Sequence, residues 1–467
     1  MDALMDKAAF YRTIWRWHFY AGLLVIPFIL ILSVTGAAYL FKPQVERWEE
    51  RAWRNQPTMR PASPDTQRDA ALAAFPGATF HSYRLPQAPG DAALIHLALP
   101  AGTGMRDVFV SPAGKVVGVL NPDRRLMQIV HDIHGELLLG RRGSWLVELA
   151  ASWAIVMILS GLYLWWPRSR GLAGVAWPRL SKGAQVFWRD LHAVTGFWVA
   201  GLALVLLITG LPWAGVWGSA FKSVRHELAW VKGQQDWTIG GRVADDSDPH
   251  AMHREHDHAA MMAMPSMPME HAAMDHSLMD HSAHAMAPVL LSEIVARAQG
   301  ERLAFPVIVS PPAGLPAGSA WTVKSDAQNR PLRVTLTYDA TTGAQTARET
   351  FADKHPIDRV VGYGIAWHEG QLLGWFNQLV GVLTAAMLIT LAISGFVMWW
   401  RRKPEAGLGA PPLPAVPARI GGVAAIILLL AIFLPMLAMS LAILWLSERF
   451  ILARIPPAAR WLGLSRG

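Results

Sequence analysis

Five stretches of this 467-residue chain, at about 16–41, 146–166, 190–214, 374–400 and 420–446, are apolar over twenty residues or more. A run of that length crosses a hydrocarbon core of about 30 Å. Lipid offers the backbone no hydrogen-bond partner, so such a segment must satisfy itself as a helix. With 52% hydrophobic and only 16% charged residues, the expected fold is an α-helical integral membrane protein. With their flanking turns the helices are expected at 14–41, 134–166, 187–214, 368–400 and 420–446. The first run follows Lys7, Arg12 and Arg16 as a signal peptide would. It is too long for one and has no small-residue cleavage site before Phe41-Lys42-Pro43, so it reads as a retained span.

The runs are related by translation. A shift of 234 residues lays His134 on His368, Gly140 on Gly374, Ser160-Gly161 on Ser394-Gly395 and Trp165-Trp166 on Trp399-Trp400. A shift of 174 lays His18 on His192, Gly22 on Gly196 and Thr35-Gly36 on Thr209-Gly210. The chain therefore reads as a duplicated pair of helices, a four-helix core, with a fifth helix at 420–446.

Basic residues set the orientation. The 167–186 loop and its edge carry Arg168, Arg170, Arg179, Lys182 and Arg189, and the fourth run ends in Arg401-Arg402-Lys403. These belong in the cytoplasm with the 401–419 loop, which places 42–133 and 215–367 on the periplasmic side of a bacterial inner membrane. A fifth crossing would then put the 447–467 tail, with Arg449, Arg454, Arg460 and Arg466, outside. The net charge of +8 is accounted for by these edges, and no nucleic-acid partner follows from it.

Both outer segments show one helix followed by alternating, strand-like runs, the pattern of a small α+β domain. The second is longer by an insertion at 245–287. It holds His250, His253, His256, His258, His271, His276, His281 and His284, with nine methionines that include Met261, Met262, Met264, Met267, Met269, Met274 and Met279. Few aliphatic side chains interrupt it, so it cannot bury a core. Thioethers suit Cu(I) and imidazoles suit Cu(II), Zn and Ni, which makes copper the expected ion.

Absence of cysteine excludes disulfides, iron–sulfur clusters and covalent haem attachment through C-x-x-C-H. Ionisable groups at membrane depth are costly and therefore candidates for function. His18 and His192 each begin an outward-going helix, His134 and His368 an inward-going one. Each pair comes from two repeated helices and can offer one imidazole to each face of a flat macrocycle. Two b-type haems would result, one near each leaflet. His131, one turn before His134, is the second choice of outer ligand. Glu136, Glu369 and Asp190 are candidate acceptors for the second ring nitrogens. Arg12, Arg16 and Arg189 inside, with Arg124, Arg125, Arg141 or Arg359 outside, are candidate partners for haem propionates. No strand–Gly-rich loop–helix unit for NAD or flavin is present, since Gly362-Tyr-Gly364 stands alone. The electron donor would be a membrane quinol or a separate reductase.

Trp17-His18-Phe19-Tyr20-Ala21-Gly22 leading to Thr35-Gly36, and His134 to Gly140 leading to Ser160-Gly161 and Trp165-Trp166, with their repeats around His192 and His368, resemble the PepSY-associated transmembrane family over roughly residues 10–403. The resemblance implies two small PepSY-like periplasmic domains and b-type haem held at positions such as His18, His192, His134 and His368. It also implies a metalloreductase that releases iron from ferric siderophores at the periplasmic face, in iron uptake. The insertion and the fifth run depart from the plain pattern and leave a cupric acceptor open. A non-enzymatic copper-binding membrane protein of metal homeostasis and a peptide- or protease-binding module are the competing readings.

Overall fold

A computed structural model of the chain describes residues 2–57, 60–100, 103–167, 173–230, 289–312, 320–414 and 421–464. The His/Met-rich insertion lies outside the described residues, as does every metal ligand expected within it.

Helix α1 (Asp2–Tyr39) leads into α2 (Lys42–Glu49) and α3 (Pro64–Ala74), then strands β1 (Thr79–Arg84), β2 (Ala93–Ala98), β3 (Met105–Val110) and β4 (Val116–Leu120). The short α4 (Leu126–Glu136) precedes α5 (Arg141–Trp165), and α6 (Ala184–Gly210) is followed by α7 (Gly215–Glu227). The second half repeats the order with α8 (Leu291–Gly300), β5 (Val307–Ser310), β6 (Ala320–Ser325), β7 (Val334–Asp339) and β8 (Gln345–Thr350). It continues with α9 (Pro356–His368) and α10 (Trp375–Arg402). Helices α11 (Gly421–Phe433), α12 (Pro435–Leu446) and α13 (Pro456–Trp461) complete the chain.

Among the described residues, four helices are long and apolar enough to cross a membrane: Lys7–Tyr39 of α1, α5, Ala184–Trp213 with α6, and α10. They pack in a ring, α1 against α5 and α10, α6 against α5 and α10. Many of their large apolar side chains are exposed, Leu24, Leu159, Trp198 and Leu383 among them, as a lipid-facing surface requires.

The helices expected at 134–166 and 368–400 are each two helices, so that His134 and His368 lie in the last turns of α4 and α9 and do not begin the spans. Gly140 (φ 58°, ψ −141°) and Gly374 (φ 60°, ψ −138°), the residues superposed by the 234 shift, precede α5 and α10 in the same conformation. That region of backbone space is open to glycine alone, which explains why the repeat keeps glycine there.

The two outer modules, expected as separate domains, share one antiparallel sheet in the order β4-β3-β2-β1-β5-β6-β7-β8. The modules meet where Tyr83 pairs with Val309 and Arg84 with Ile308. Helices α3 and α8 cover one face over a common core of Ala71, Ile95, Val108, Leu291, Ile294, Val323 and Leu336. Asp65 of α3 accepts hydrogen bonds from the backbone and hydroxyl of Ser292 at the start of α8, which ties the two halves together.

The expected fifth span is broken. Leu434 leaves helical geometry (φ −118°, ψ 89°) ahead of Pro435, since proline cannot donate the hydrogen bond that would continue α11 and disfavours helix in the residue before it. The two pieces, 13 and 12 residues long, are each shorter than the roughly 20 residues of a crossing. Leu434 and Leu437 pack on Ile155 and Leu211, and Trp217 and Trp153 donate to Phe433 O and Ser440 Oγ at 3.1 Å each.

The chain is anchored on both sides of this pair at the same place. Arg16 of α1 donates to Pro411 O and, at 2.8 Å, to Gly463 O. Tyr20 donates to Leu462 O at 2.6 Å, and Leu408 N donates to Trp461 O at 2.8 Å. The segment between therefore leaves and returns to one end of the bundle, whereas a single crossing would separate its ends. Arg460, beside the anchored Trp461, thereby joins the other basic residues, and its mismatch with a fifth span disappears. Because the chain has no cysteine, the topology can be read from single labels. Arg460→Cys is expected to react with an impermeant maleimide from the same side as Glu405→Cys and from the opposite side to Thr346→Cys. Reaction together with Thr346→Cys would restore the fifth crossing.

Candidate cofactor site

The ring of four helices encloses a cavity of about 1190 Å³, more than the roughly 300–1,000 Å³ of a typical single-ligand pocket. All four repeated histidines line it. His18 of α1 faces His192 of α6, ring centres 6.4 Å apart with planes at 86°. His134 of α4 faces His368 of α9 at 6.2 Å and 78°.

Each imidazole is held in the same way. Thr35 Oγ1 lies 3.0 Å from His134 Nδ1 and Thr209 Oγ1 lies 3.2 Å from His368 Nδ1. Ser160 Oγ is 2.9 Å from His18 Nδ1, and Ser394 Oγ is 3.2 Å from His192 Nδ1. Every one of these hydroxyls donates its own proton to a carbonyl of its helix: Thr35 to Ile31, Thr209 to Val205, Ser160 to Met157 and Ser394 to Leu391. The hydroxyl oxygen is then left to accept, so Nδ1 carries the proton and Nε2 keeps its lone pair. Leu391 O, 3.0 Å from His192 Nδ1, can only accept and imposes the same tautomer. The glycine after each hydroxyl lets the ring lie close. A methyl group at Gly36, Gly161, Gly210 or Gly395 would come within 3.0, 3.1, 3.3 or 3.2 Å of the imidazole Cε1.

These hydroxyls replace the acceptors expected from sequence. Asp190 is engaged by Arg179 and Arg189, Glu369 caps α9 through its backbone, and Glu136 is buried at the end of α4. The Ser/Thr–Gly dipeptides were visible as marks of the repeat, yet spacing alone does not tell which histidine a hydroxyl will meet.

His131 packs on Tyr39, ring centres 5.8 Å apart, and its Nδ1 lies 3.4 Å from Asp132 Oδ1; His134 is the residue opposite His368. Arg16 is committed to the C-terminal tail and Arg125 to Glu49 and Glu50, so neither of these expected propionate partners faces the histidines. His355 caps α9, its Nδ1 accepting from Ile357 N, and His226 lies in the last turn of α7. Of each tryptophan pair, one member donates to a loop carbonyl (Trp165 to Val175, Trp399 to Leu408) and the other is exposed, as interfacial anchors are.

Two imidazoles per level are fewer than the four ligands of a structural zinc site, and no group of three or more His, Cys, Asp or Glu placed to hold a metal ion occurs among the described residues. They do suffice for a metal that brings its own equatorial ligands. A metal held between two imidazoles by bonds of roughly 2 Å, with about 1.1 Å from Nε2 to each ring centre, would separate the ring centres by about 6.2 Å. The observed 6.4 and 6.2 Å fit that spacing at both levels. His18 and Thr35, which holds His134, stand 17 residues apart on α1, about 25 Å at 1.5 Å per residue. One pair therefore sits near each edge of the roughly 30 Å core. The middle of the cavity is apolar, with Val25, Ile29, Ala154, Leu202 and Leu388. Cations stand at both ends, Arg179, Arg189 and Arg402 at one, Lys42, Lys324, Arg330 and Arg333 at the other.

The profile of the PepSY-associated TM region matches residues 15–402. The chain belongs to this family. No curated protein matches it. The PepSY-associated region begins just before His18 of α1 and ends with α10, so it takes in all four histidines, their hydroxyl partners and the sheet. Residues 403–467, with the broken helix pair and the tail, are an extension that the PepSY-associated region does not include.

Proposed function

We propose that this PepSY-associated protein is a transmembrane electron conduit that holds two b-type haems, one between His18 and His192 and one between His134 and His368. When bound, such a group supplies one-electron redox chemistry. The chain contributes four imidazoles of fixed tautomer, a largely apolar passage between the two levels and a sheet over the outer pair. The observation that carries this reading is the fourfold repetition of one arrangement: an imidazole with Nδ1–H spent on a Ser/Thr hydroxyl, its ring centre 6.2 or 6.4 Å from that of a second imidazole.

By the distribution of basic residues the conduit lies in the bacterial inner membrane with its sheet in the periplasm, fed from inside by a quinol or a separate reductase. Its acceptor is a ferric or cupric species at the outer face, where the lining cations Lys42, Lys324, Arg330 and Arg333 outnumber the lining carboxylates Asp326 and Glu369. The composition of the 245–287 insertion favours copper as the ion gathered there.

A reduced-minus-oxidised absorption spectrum of protein purified from haem-supplied cells tests the reading. Bands of six-coordinate b-type haem are expected at about two haems per chain. Purified, folded protein without such bands would sink the conduit and leave the non-enzymatic metal-binding reading.

A further inference from the structure

The inner end of the cavity carries a preorganised pair of guanidinium groups that the histidine arrangement does not use. Asp190 of α6 is fully buried. Its Oδ2 accepts from Arg179 N at 3.2 Å and Arg179 Nε at 2.7 Å. Its Oδ1 accepts from Arg179 Nη2 at 3.0 Å and from Arg189 Nε and Nη2 at 3.0 and 2.6 Å. One carboxylate thus orients two cations by charge-assisted, forked contacts. Neither guanidinium makes another hydrogen bond among the described residues, so the Nη1 groups of both remain available as donors.

Arg179 is fixed a second time by Gly174, which has φ +82°. A Cβ there would lie 2.8–2.9 Å from the guanidinium atoms of Arg179, so the group rests on bare backbone. Both arginines line the same cavity as His18 and His192. Arg189 stands three residues before His192, on the same face of α6. Two cations against one buried carboxylate leave the inner mouth positive, and Arg402 adds to it.

We propose that Arg179 and Arg189, oriented by Asp190, form a clamp for the carboxylates of the inner macrocycle, an inference that rests on the two-haem reading above. A b-type haem carries two carboxylates on one edge, and the apolar middle of the cavity cannot accept them. The edge must turn to an end of the cavity, and the lining of the inner end includes two guanidinium groups held, and balanced in part, by Asp190. Asp190 acts through the arginines and is a positioning residue.

The test is a potentiometric titration of the full-length protein, followed by visible absorption, with His18→Ala identifying the inner component. Removing two positive charges beside the inner group disfavours its reduced form. Arg179→Ala/Arg189→Ala is therefore expected to move that component at least tenfold toward oxidised, about 59 mV more negative for one electron, with the outer component unmoved. Gly174→Val, which displaces Arg179 and removes no charge, is expected to shift it in the same direction by less, and Arg179→Lys to restore part of the difference. Should the double variant fold poorly, Gly174→Val and Arg189→Ala carry the test singly. Two haem components at unchanged potentials in these variants would overturn the clamp and leave the conduit standing. A wild-type protein without b-type haem would overturn both.

Discussion

Replacing His134 by alanine is expected to lower the haem content of the purified protein by about half, and His18→Ala to remove the other half, because loss of one of two axial ligands at a level releases the group held there. The double variant is expected to be free of haem. His131→Ala is the control that separates this assignment from its nearest rival. His131 packs against Tyr39 and does not face His368, so its removal should leave the full complement. Pyridine haemochrome absorbance per chain is the measurement. A loss in His131→Ala as large as in His134→Ala would show that the outer ligand was misplaced by one helical turn. Full occupancy in both single variants His18→Ala and His134→Ala would dismiss the paired-histidine sites altogether.

Much of that arrangement was legible in the sequence. The apolar runs had to be helices because lipid leaves no other choice, and the two translations fixed which histidine belonged with which. The rest depended on contacts that spacing does not encode. Leu137 and Leu138 take positive φ (51° and 59°) to turn the chain between α4 and α5. Nothing in Leu137-Leu138-Leu139 signals a turn, since such conformations are rare in non-glycine residues. The hydroxyls of Thr35, Thr209, Ser160 and Ser394 were identified as repeat marks, yet each serves a histidine on a different helix. Nearby carboxylates were the more obvious acceptors on charge alone. The union of the two modules rests on two residue pairs between β1 and β5, more than 200 positions apart. The break at Leu434–Pro435 is different in kind, because the proline stands in plain view in the middle of the fifth run and its physics predicts the interruption. Only the anchoring of the tail by Arg16 and Tyr20 shows that the break returns the chain to the same end.

The second large effect concerns stability, and through it the outer site. Arg225 of α7 is fully buried and donates to Asp358 of α9 at 2.6 Å, with Asp358 itself 8% exposed. Asp358 lies in the first turn of α9, where the helix dipole also favours a carboxylate, and α9 ends at His368 ten residues later. The pair therefore fastens to α7 the helix that carries His368. Taking both charges from water is costly, so the intact pair adds little net stability. Removing one partner strands a buried charge and costs about 3–5 kcal/mol. Asp358→Leu is thus expected to lower the midpoint of thermal unfolding strongly and to release the outer haem before the inner one. Arg225→Met/Asp358→Leu removes both charges and fills the same volume. It is expected to recover most of the lost stability, since buried ion pairs exchanged for apolar contacts are commonly neutral or better. Thermal melts of the single and double variants in one detergent, with haem occupancy read at each step, decide the matter. A double variant as unstable as Asp358→Leu would show that the carboxylate acts through contacts other than Arg225. An unchanged melt in Asp358→Leu would mean that α9 is held by its packing alone, and the outer ligand with it.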